Sequence, residues 1–415
     1  MDYLDRANLG NAELAGIQED LHLTSVELSA AISAFFITYI ICEVPSNIIL
    51  KRTSATLWLS SLMMFWGFVT VAMAFSTGFK GLVIARFLLG AAESGYIPGV
   101  LYKLSQIYKP QELGLRLALL LSTASLAAIA SGPIAYLAMR LSGTWGLAGW
   151  QFLFIFEGVP TILFSILSFF CLFDEVDRVT WLSDEQKALQ KSRIPPQPET
   201  QITLQTLLTV IKDWKVWAFG VVYMLTAVNM TSAVVFFPVI IHGFGFSSST
   251  SQLLTAPPGV WAAIMTLTGG LLTDRYRKRS PLIVLGLLLV ALGYFLLLFL
   301  QNPMGLYAAI FILVGGIAFQ AAAVVGWSSI NFPDLAIRAT AVAMVVMIGN
   351  VGGVIAAYIF PDTDGPHYVF GKCVNLACAL TAAFVAGLTG YCLYKENCRR
   401  DLNEKRDGEQ FRFFY

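Results

Sequence analysis

Charge is scarce in this chain. Asp, Glu, Lys and Arg together make up 13% of its 415 residues, about half of the ~25% usual in a soluble protein. The balance is a net +1, which offers no argument for a nucleic-acid partner. No Cys-x-x-Cys pair occurs among the six cysteines. Cys42, Cys171, Cys373, Cys378, Cys392 and Cys398 are scattered, mostly within apolar stretches, and read as small packing residues. Cys392 and Cys398, near a membrane face, could alternatively be acylated. No cluster of metal ligands, no glycine-rich nucleotide loop and no nucleophile–base pair can be picked out. That argues against an ATP-driven pump and against an enzyme, and no cofactor or metal is expected. Met1 leads directly into polar residues, so no cleavable signal peptide is expected.

What the chain has in abundance is apolar length. Hydrophobic residues make up 57% of it, and its mean hydropathy of +0.69 marks an integral membrane protein. Each bilayer-crossing helix needs about 20 mostly apolar residues. Stretches of that kind fall at 27–48, 57–76, 81–102, 116–138, 150–173, 215–240, 251–273, 281–300, 305–327, 338–360 and 370–394. Lipid leaves no backbone group unpaired, so these must be helices; the short alternating strands of a β-barrel are not seen. Eleven spans follow a polar stub at 1–16. Asp5 and Arg6 sit in that stub where a first span should end, which suggests a first helix cut short. Two sources of such a helix are open, a lost upstream exon or a true eleven-span variant.

Linkers are short except for 174–213, where Ser183 and Gln186 fit a capping box opening a short amphipathic helix. Ile194-Pro195-Pro196-Gln197-Pro198 should end that helix. The expected organisation is an N-terminal helical half over 1–173, a central loop over 174–213, a C-terminal helical half over 214–395 and a tail over 396–415. If the loops alternate sides, Lys51, Arg52, Lys103, Lys109, Arg116, Arg275, Arg277, Lys278, Arg279, Arg338 and the basic residues of the central loop and tail share one side. Lys80, Arg140 and Lys372 lie on the other. The positive-inside rule makes the first side cytoplasmic.

Several motifs carry chemistry. Gly270-Leu271-Leu272-Thr273-Asp274-Arg275-Tyr276-Arg277-Lys278-Arg279 fits G-x-L-x-D-R-x-x-[RK]-R, in which glycine allows close helix approach and the aspartate can pair with cations and a helix N-terminus. The matching first-half loop, Pro45-Ser46-Asn47-Ile48-Ile49-Leu50-Lys51-Arg52, lacks both Gly and Asp. Arg86, Gly90 and Glu93 recur at four and seven residues and so share a helix face. Gly90 opens that face to a cavity or a neighbouring helix. Arg86 and Glu93 suit an anion path and a titratable carboxylate, or else a structural ion pair. Asp5, Arg6, Glu43, Arg86, Glu93 and Glu157 all lie in the first half, while second-half span interiors hold amides and hydroxyls without formal charge. Ser131-Gly132-Pro133 reads as a helix bend. Asn229-Met230-Thr231 is a glycosylation sequon, but inside a span it should carry no glycan.

The loop motif at 270–279 resembles that of the major facilitator superfamily. Within it, Arg86-Phe87-Leu88-Leu89-Gly90 followed by Glu93, Gly95 and Pro98 is similar to the fourth helix of the anion:cation symporter family. Tyr3-Leu4-Asp5-Arg6-Ala7-Asn8-Leu9-Gly10, Glu43-Val44-Pro45-Ser46-Asn47 and Gly149-Trp150-Gln151-Phe152-Leu153-Phe154-Ile155-Phe156-Glu157-Gly158 resemble further stretches of that family, nearest its fungal allantoate/nicotinate/pantothenate permease branch. The resemblance implies an all-α integral membrane protein with the major facilitator fold, two six-helix halves of which the first helix is incomplete here. It implies a monomeric secondary transporter taking up a small organic carboxylate, with protons, across a fungal plasma membrane. Arg6 would bind the anion; Arg86, Asn229, Gln320 and Asn350 are further candidate substrate contacts, with interhelical hydrogen bonding the equal alternative for Gln320 and Asn350. Glu93, Glu157 and Asp5 are candidate proton carriers, because ionisable groups buried in lipid are expensive and functional by default. Asp274, Arg275 and Arg279 would form a conformational latch. An exporter of a secondary metabolite on the same fold, or a truncated non-transporting paralogue, are the alternatives.

Overall fold

Polar residues between the apolar runs decide where helices begin. In the computed structural model, which describes residues 2–108, 110–174, 176–179, 182–193, 204–276, 278–365, 367–407 and 412–415, Thr24 caps one helix through a reciprocal box with Glu27. Ser54, Asp213, Ser247, Asn302 and Asp334 each accept a first-turn N–H of the helix that follows. Each such cap satisfies an orphan donor and is worth about 1 kcal/mol.

The helices in chain order are α1 (Asp2–Leu14), α2 (Ile17–Asp20), α3 (Ser25–Arg52), α4 (Ala55–Met73), α5 (Phe79–Glu93), α6 (Tyr96–Ile107), α7 (Pro110–Arg140), α8 (Gly149–Cys171), α9 (Asp184–Arg193), α10 (Leu204–Lys212), α11 (Trp214–His242), α12 (Ser248–Leu253), α13 (Ala256–Tyr276), α14 (Arg279–Phe299), α15 (Pro303–Ile330), α16 (Leu335–Ala356) and α17 (Val369–Asp407). No strand occurs among the described residues. The all-α membrane architecture expected from composition is the one observed. Among the described residues eight helices are long and apolar enough to cross a membrane, and Leu126–Arg140 within α7 is a shorter apolar stretch.

Two expected spans are not continuous. The one at 81–102 breaks between α5 and α6 at Ser94 and Gly95, where a Cβ on Gly95 would lie 1.8 Å from Ser46 Oγ. The one at 251–273 breaks between α12 and α13 at Leu254 and Thr255. Pro257 and Pro258 just beyond have no N–H to continue a helix. The capping box of α9 forms as expected, with Ser183 N–H donating to Gln186 Oε1 at 3.0 Å and Gln186 N–H to Ser183 Oγ at 3.3 Å. Residues 194–203, including the proline-rich break, lie outside the described residues.

The chain forms two compact units, one of residues 1–198 with 247–256, the other of 199–246 with 257–415. Backbone-close helix packing through glycine builds both. In the first unit, a Cβ on Gly90 of α5 would lie 2.2 Å from Phe35 O of α3, and one on Gly158 of α8 would lie 2.8 Å from Val71 N of α4. In the second, a Cβ on Gly269 of α13 would fall 2.0 Å from Phe319 O of α15. Gly286 of α14 meets α15 in the same way. Helices with small residues at the seam approach closely enough for backbone–backbone dispersion, the main adhesive where lipid removes the hydrophobic drive.

The motif glycine is not where this packing occurs. A Cβ on Gly270 would meet nothing within 4 Å, whereas its neighbour Gly269 sits against the α15 backbone. Gly132 does more than accompany a bend: α7 runs through Pro133, and a Cβ on Gly132 would lie 2.1 Å from Gln252 O of α12.

Candidate functional site

In the first unit, α1 brings its polar residues against α4, α5 and α8. Asp5 is fully buried, and its Oδ1 accepts from Thr70 Oγ1 and from Asn8 Nδ2, both at 3.2 Å. Arg86 of α5, 2% exposed, donates from Nη1 to the main-chain oxygen of Asp5 at 3.2 Å. The charges of Glu93, Asp5 and Glu157 all bear on Arg86. Of the charges named from sequence in the first half, Asp5, Glu93 and Glu157 bear on Arg86, whereas Glu43 bears on Arg6.

Arg6 sits at the edge of the same group. Its Nη2 pairs with Asp2 Oδ1 at 3.1 Å and its Nε lies 3.9 Å from Glu93 Oε2. Three rings surround it, with the guanidinium carbon 4.9 Å from the centroid of Tyr39 and 5.7 Å from those of Tyr3 and Phe35. Cation–π contacts of this kind add about 1 kcal/mol each. With a side chain 21% exposed, Arg6 is the most accessible charge of the group.

Glu93 and Glu157 have no comparable support. Asp2 lies within reach of Glu93, and Asn8 within reach of Glu157. Yet neither glutamate accepts a hydrogen bond of good geometry among the described residues. Glu157 is 1% exposed and lies in the third turn of α8, well inside the helix. Helical register alone could not show that this turn faces α1.

The Gly149-Trp150-Gln151 stretch works at the α8 N-terminus. Gln151 Oε1 accepts from Ala148 N–H at 2.8 Å while its Nε2 donates to Ala74 O at 2.7 Å, joining the start of α8 to the end of α4. Trp150 Nε1 donates to Asp20 Oδ2 at 2.7 Å. Residues that the sequence reading did not single out complete the setting. Asn11 Nδ2 donates to Ser131 Oγ at 2.7 Å, and Gln252 Nε2 donates to Asn11 O at 3.0 Å.

In the second unit the three amides lie on three helices. Asn229 of α11 is buried and donates to Leu225 O at 3.0 Å; Gln320 of α15 is fully buried with neither amide atom bonded among the described residues; Asn350 of α16 is half-buried. Asn375 belongs beside them, buried and donating to Ser232 Oγ at 3.2 Å. The second half is not free of buried charge, however. Lys372, expected in an outer loop, is buried within α17, with Nζ 3.3 Å from Leu297 O. Of the expected latch, the Asp274 side chain lies outside the described residues. Arg275 is exposed, and Arg279 lies against Gly326 of α15.

Residues 1–357 match the model of the Major Facilitator Superfamily. The chain belongs to that superfamily. It is 31% identical to the MFS-type transporter efuF of Hormonema carpetanum over 88% of this chain and 76% of the relative. It is 28% identical to the high-affinity nicotinic acid transporter of Saccharomyces cerevisiae, over 96% of this chain and 75% of that one. A bacterial homologue of the human lysosomal transporter Spinster, crystallised inward-facing and unoccupied, shares the fold with a TM-score of 0.75 at 15% identity, covering 95% of each chain. The chain is therefore a multi-pass membrane transporter and not an enzyme, and proteins of this superfamily bind small molecules.

Proposed function

We propose that this transporter takes up a small organic carboxylate together with protons, in the manner of the anion:cation symporters its motifs resemble. The observation that carries this is the first-unit cluster, in which Arg6 and Arg86 lie with four buried carboxylates, Asp2, Asp5, Glu93 and Glu157, and neither Glu93 nor Glu157 accepts a hydrogen bond of good geometry among the described residues. An ionised carboxylate out of water without a partner costs several kcal/mol. A proton taken up and later released would remove and restore that cost, which is what coupling requires. Arg6, the accessible cation held by aromatic rings, meets the substrate carboxylate; Arg86, buried behind it, supplies positive potential. The relative named for nicotinic acid, itself a carboxylate, supports the substrate class. Asn229, Gln320 and Asn350 contribute shape and hydrogen bonds, and Asp274, Arg275 and Arg279 act as the latch. The central loop and the 396–415 segment are cytoplasmic, at the plasma membrane.

The test is uptake by purified transporter in proteoliposomes under imposed pH gradients, against a panel of nicotinate, allantoate, pantothenate and biotin. Gradient-driven accumulation of one of these, competed by the others in a graded order, is expected. Arg6→Ala should abolish it without lowering the amount of folded protein, and Arg6→Lys should recover part at most, since lysine lacks the planar fork. Glu93→Gln should lose gradient dependence yet retain exchange of labelled for unlabelled substrate. Undiminished gradient-driven accumulation in Glu93→Gln moves the proton to Glu157, and full activity of Arg6→Ala ends the anion-site reading.

A further inference from the structure

After α17 the chain returns to the second unit. Residues 412–415, Arg-Phe-Phe-Tyr, are seated at the end of the unit that carries the Arg275–Arg279 loop. Phe413 is 6% exposed and belongs to the same apolar cluster as Phe219, Trp327, Phe332 and Leu393. Two asparagines grip the main chain on either side. Asn397 of α17 accepts from Phe413 N–H at 2.8 Å and donates to Phe413 O at 2.7 Å. Asn331, just past α15, accepts from Phe414 N–H at 2.9 Å and donates to Phe414 O at 3.1 Å. Trp327 Nε1 also donates to Phe414 O, at 2.7 Å. The Phe413 ring lies between cations, 4.6 Å from Lys215 Nζ and 4.3 Å from the Arg400 guanidinium carbon. Tyr394 stacks edge-on against Tyr415, with centroids 5.2 Å apart. Finally Arg279 N–H, the first of α14, donates to Tyr415 O at 3.0 Å.

We infer that this end of the second unit is a built binding site for an aromatic peptide segment, and that residues 413–415 of the same chain are its occupant. Two side-chain amides each pairing both polar groups of one residue imitate the ladder of a β-strand, which is how extended peptides are commonly held. An indole N–H and two cations over a ring add aromatic selectivity. A tail merely lying on a surface would not have its own N–H and C=O groups satisfied by buried asparagines of two other elements. The consequence is mechanical: the segment ties the first residue of α14 to the end of α15 and to α17.

Hydrogen exchange on the full chain in lipid nanodiscs tests this directly. The Phe413 and Phe414 amides should exchange at least about a hundredfold more slowly than in a free peptide, as hydrogen-bonded groups do in folded regions; random-coil rates there overturn the proposal. Asn331→Ala with Asn397→Ala should release both amides while α14 and α15 stay protected, and retained protection counts against the site. Because that double variant could loosen this end of the unit by itself, a second one deletes residues 412–415 and leaves the receptor intact. It should bind a fluorescein-labelled Arg-Phe-Phe-Tyr peptide saturably, about tenfold more weakly once Asn331→Ala is added. Failure of the peptide to bind overturns the inference.

Discussion

The two units of this transporter are built with the same glycine-seamed helix packing and filled with different chemistry. The first gathers Asp5, Arg86, Glu93 and Glu157 in its interior. The second buries Asn229, Gln320 and Asn375, with Lys372 as its buried cation. Neutral amides can be half-satisfied at a cost of about 1–3 kcal/mol each. Charges cannot be left so cheaply, and the first unit holds its carboxylates near two guanidinium groups. The interior of the second unit is thus mostly neutral amides, and that of the first is mostly ionisable groups.

The largest expected effect tests that contrast in one pair of variants. Arg86→Ala removes the guanidinium that bears on Asp5, Glu93 and Glu157 and leaves Arg6 only beside Asp2 and Glu93, so it should cost about 3–5 kcal/mol of stability. Gln320→Leu removes an amide that is unbonded among the described residues, and should be neutral or stabilising. Thermal unfolding in detergent reads both. Adding Glu157→Gln to Arg86→Ala should restore part of the loss, since the two groups are coupled. Equal tolerance of Arg86→Ala and Gln320→Leu would erase the distinction between the units.

The next effect treats the units as alike. Gly90→Ala and Gly269→Ala each drive a methyl into a carbonyl of the facing helix, and each should cost about 1–3 kcal/mol. Gly270→Ala, with open space around it, should change stability by less than about 0.5 kcal/mol through packing. A loss at Gly270 as large as at Gly269 would return the close approach to the motif glycine.

That last contrast shows what the sequence could and could not reveal. The start of α9 was legible because Ser183 and Gln186 form a capping box, whereas the caps Thr24, Ser54, Asp213, Ser247, Asn302 and Asp334 went unread beside the stronger signal of the apolar runs. The shared face of Arg86, Gly90 and Glu93 followed from helical spacing, and Gly90 indeed meets a neighbouring helix, α3. The break at Gly95 falls inside one expected span, although Glu93-Ser94-Gly95 interrupts its apolar run, and the one before Pro257 had only the proline pair as its signal. Which face of α8 meets α1 depends on tertiary packing, so the approach of Glu157 to Asn8 was not legible. Gly269 beside Gly270 could not be told apart without knowing the phase of α13. Lys372 was read as a loop charge because hydropathy does not register a lysine whose amine finds a buried carbonyl. The docked segment at 412–415 was passed over, although three aromatics in a row after a charged run were a visible clue.

The smallest effect concerns the helix that opens each unit's third span. In the first unit, α4 begins under the Asp174 carboxylate, which follows α8: Thr56 N–H donates to Asp174 Oδ1 at 2.9 Å, Ser54 Oγ donates to Oδ2, and Lys103 Nζ donates to Asp174 O at 3.1 Å. In the second, α14 begins under a main-chain oxygen, that of Tyr415, which follows α17. The sites match in place. Burial alone would push the Asp174 carboxyl up, but the hydrogen bonds from Ser54 and Thr56 and the charge of Lys103 outweigh it, so the group titrates below its ordinary value of 3.8. A carboxylate lowered on folding lends stability that is complete above its unfolded value and fades as pH falls through the folded one. Amide exchange in the first turn of α4 should therefore quicken below about pH 4, by no more than the ~1 kcal/mol of an exposed cap. Asp174→Asn should make that turn faster-exchanging at neutral pH and remove the acid step. The first turn of α14 is capped by Tyr415 O, so its exchange at neutral pH should quicken on loss of residues 412–415. Unchanged exchange there after the deletion would show that Tyr415 does not cap α14.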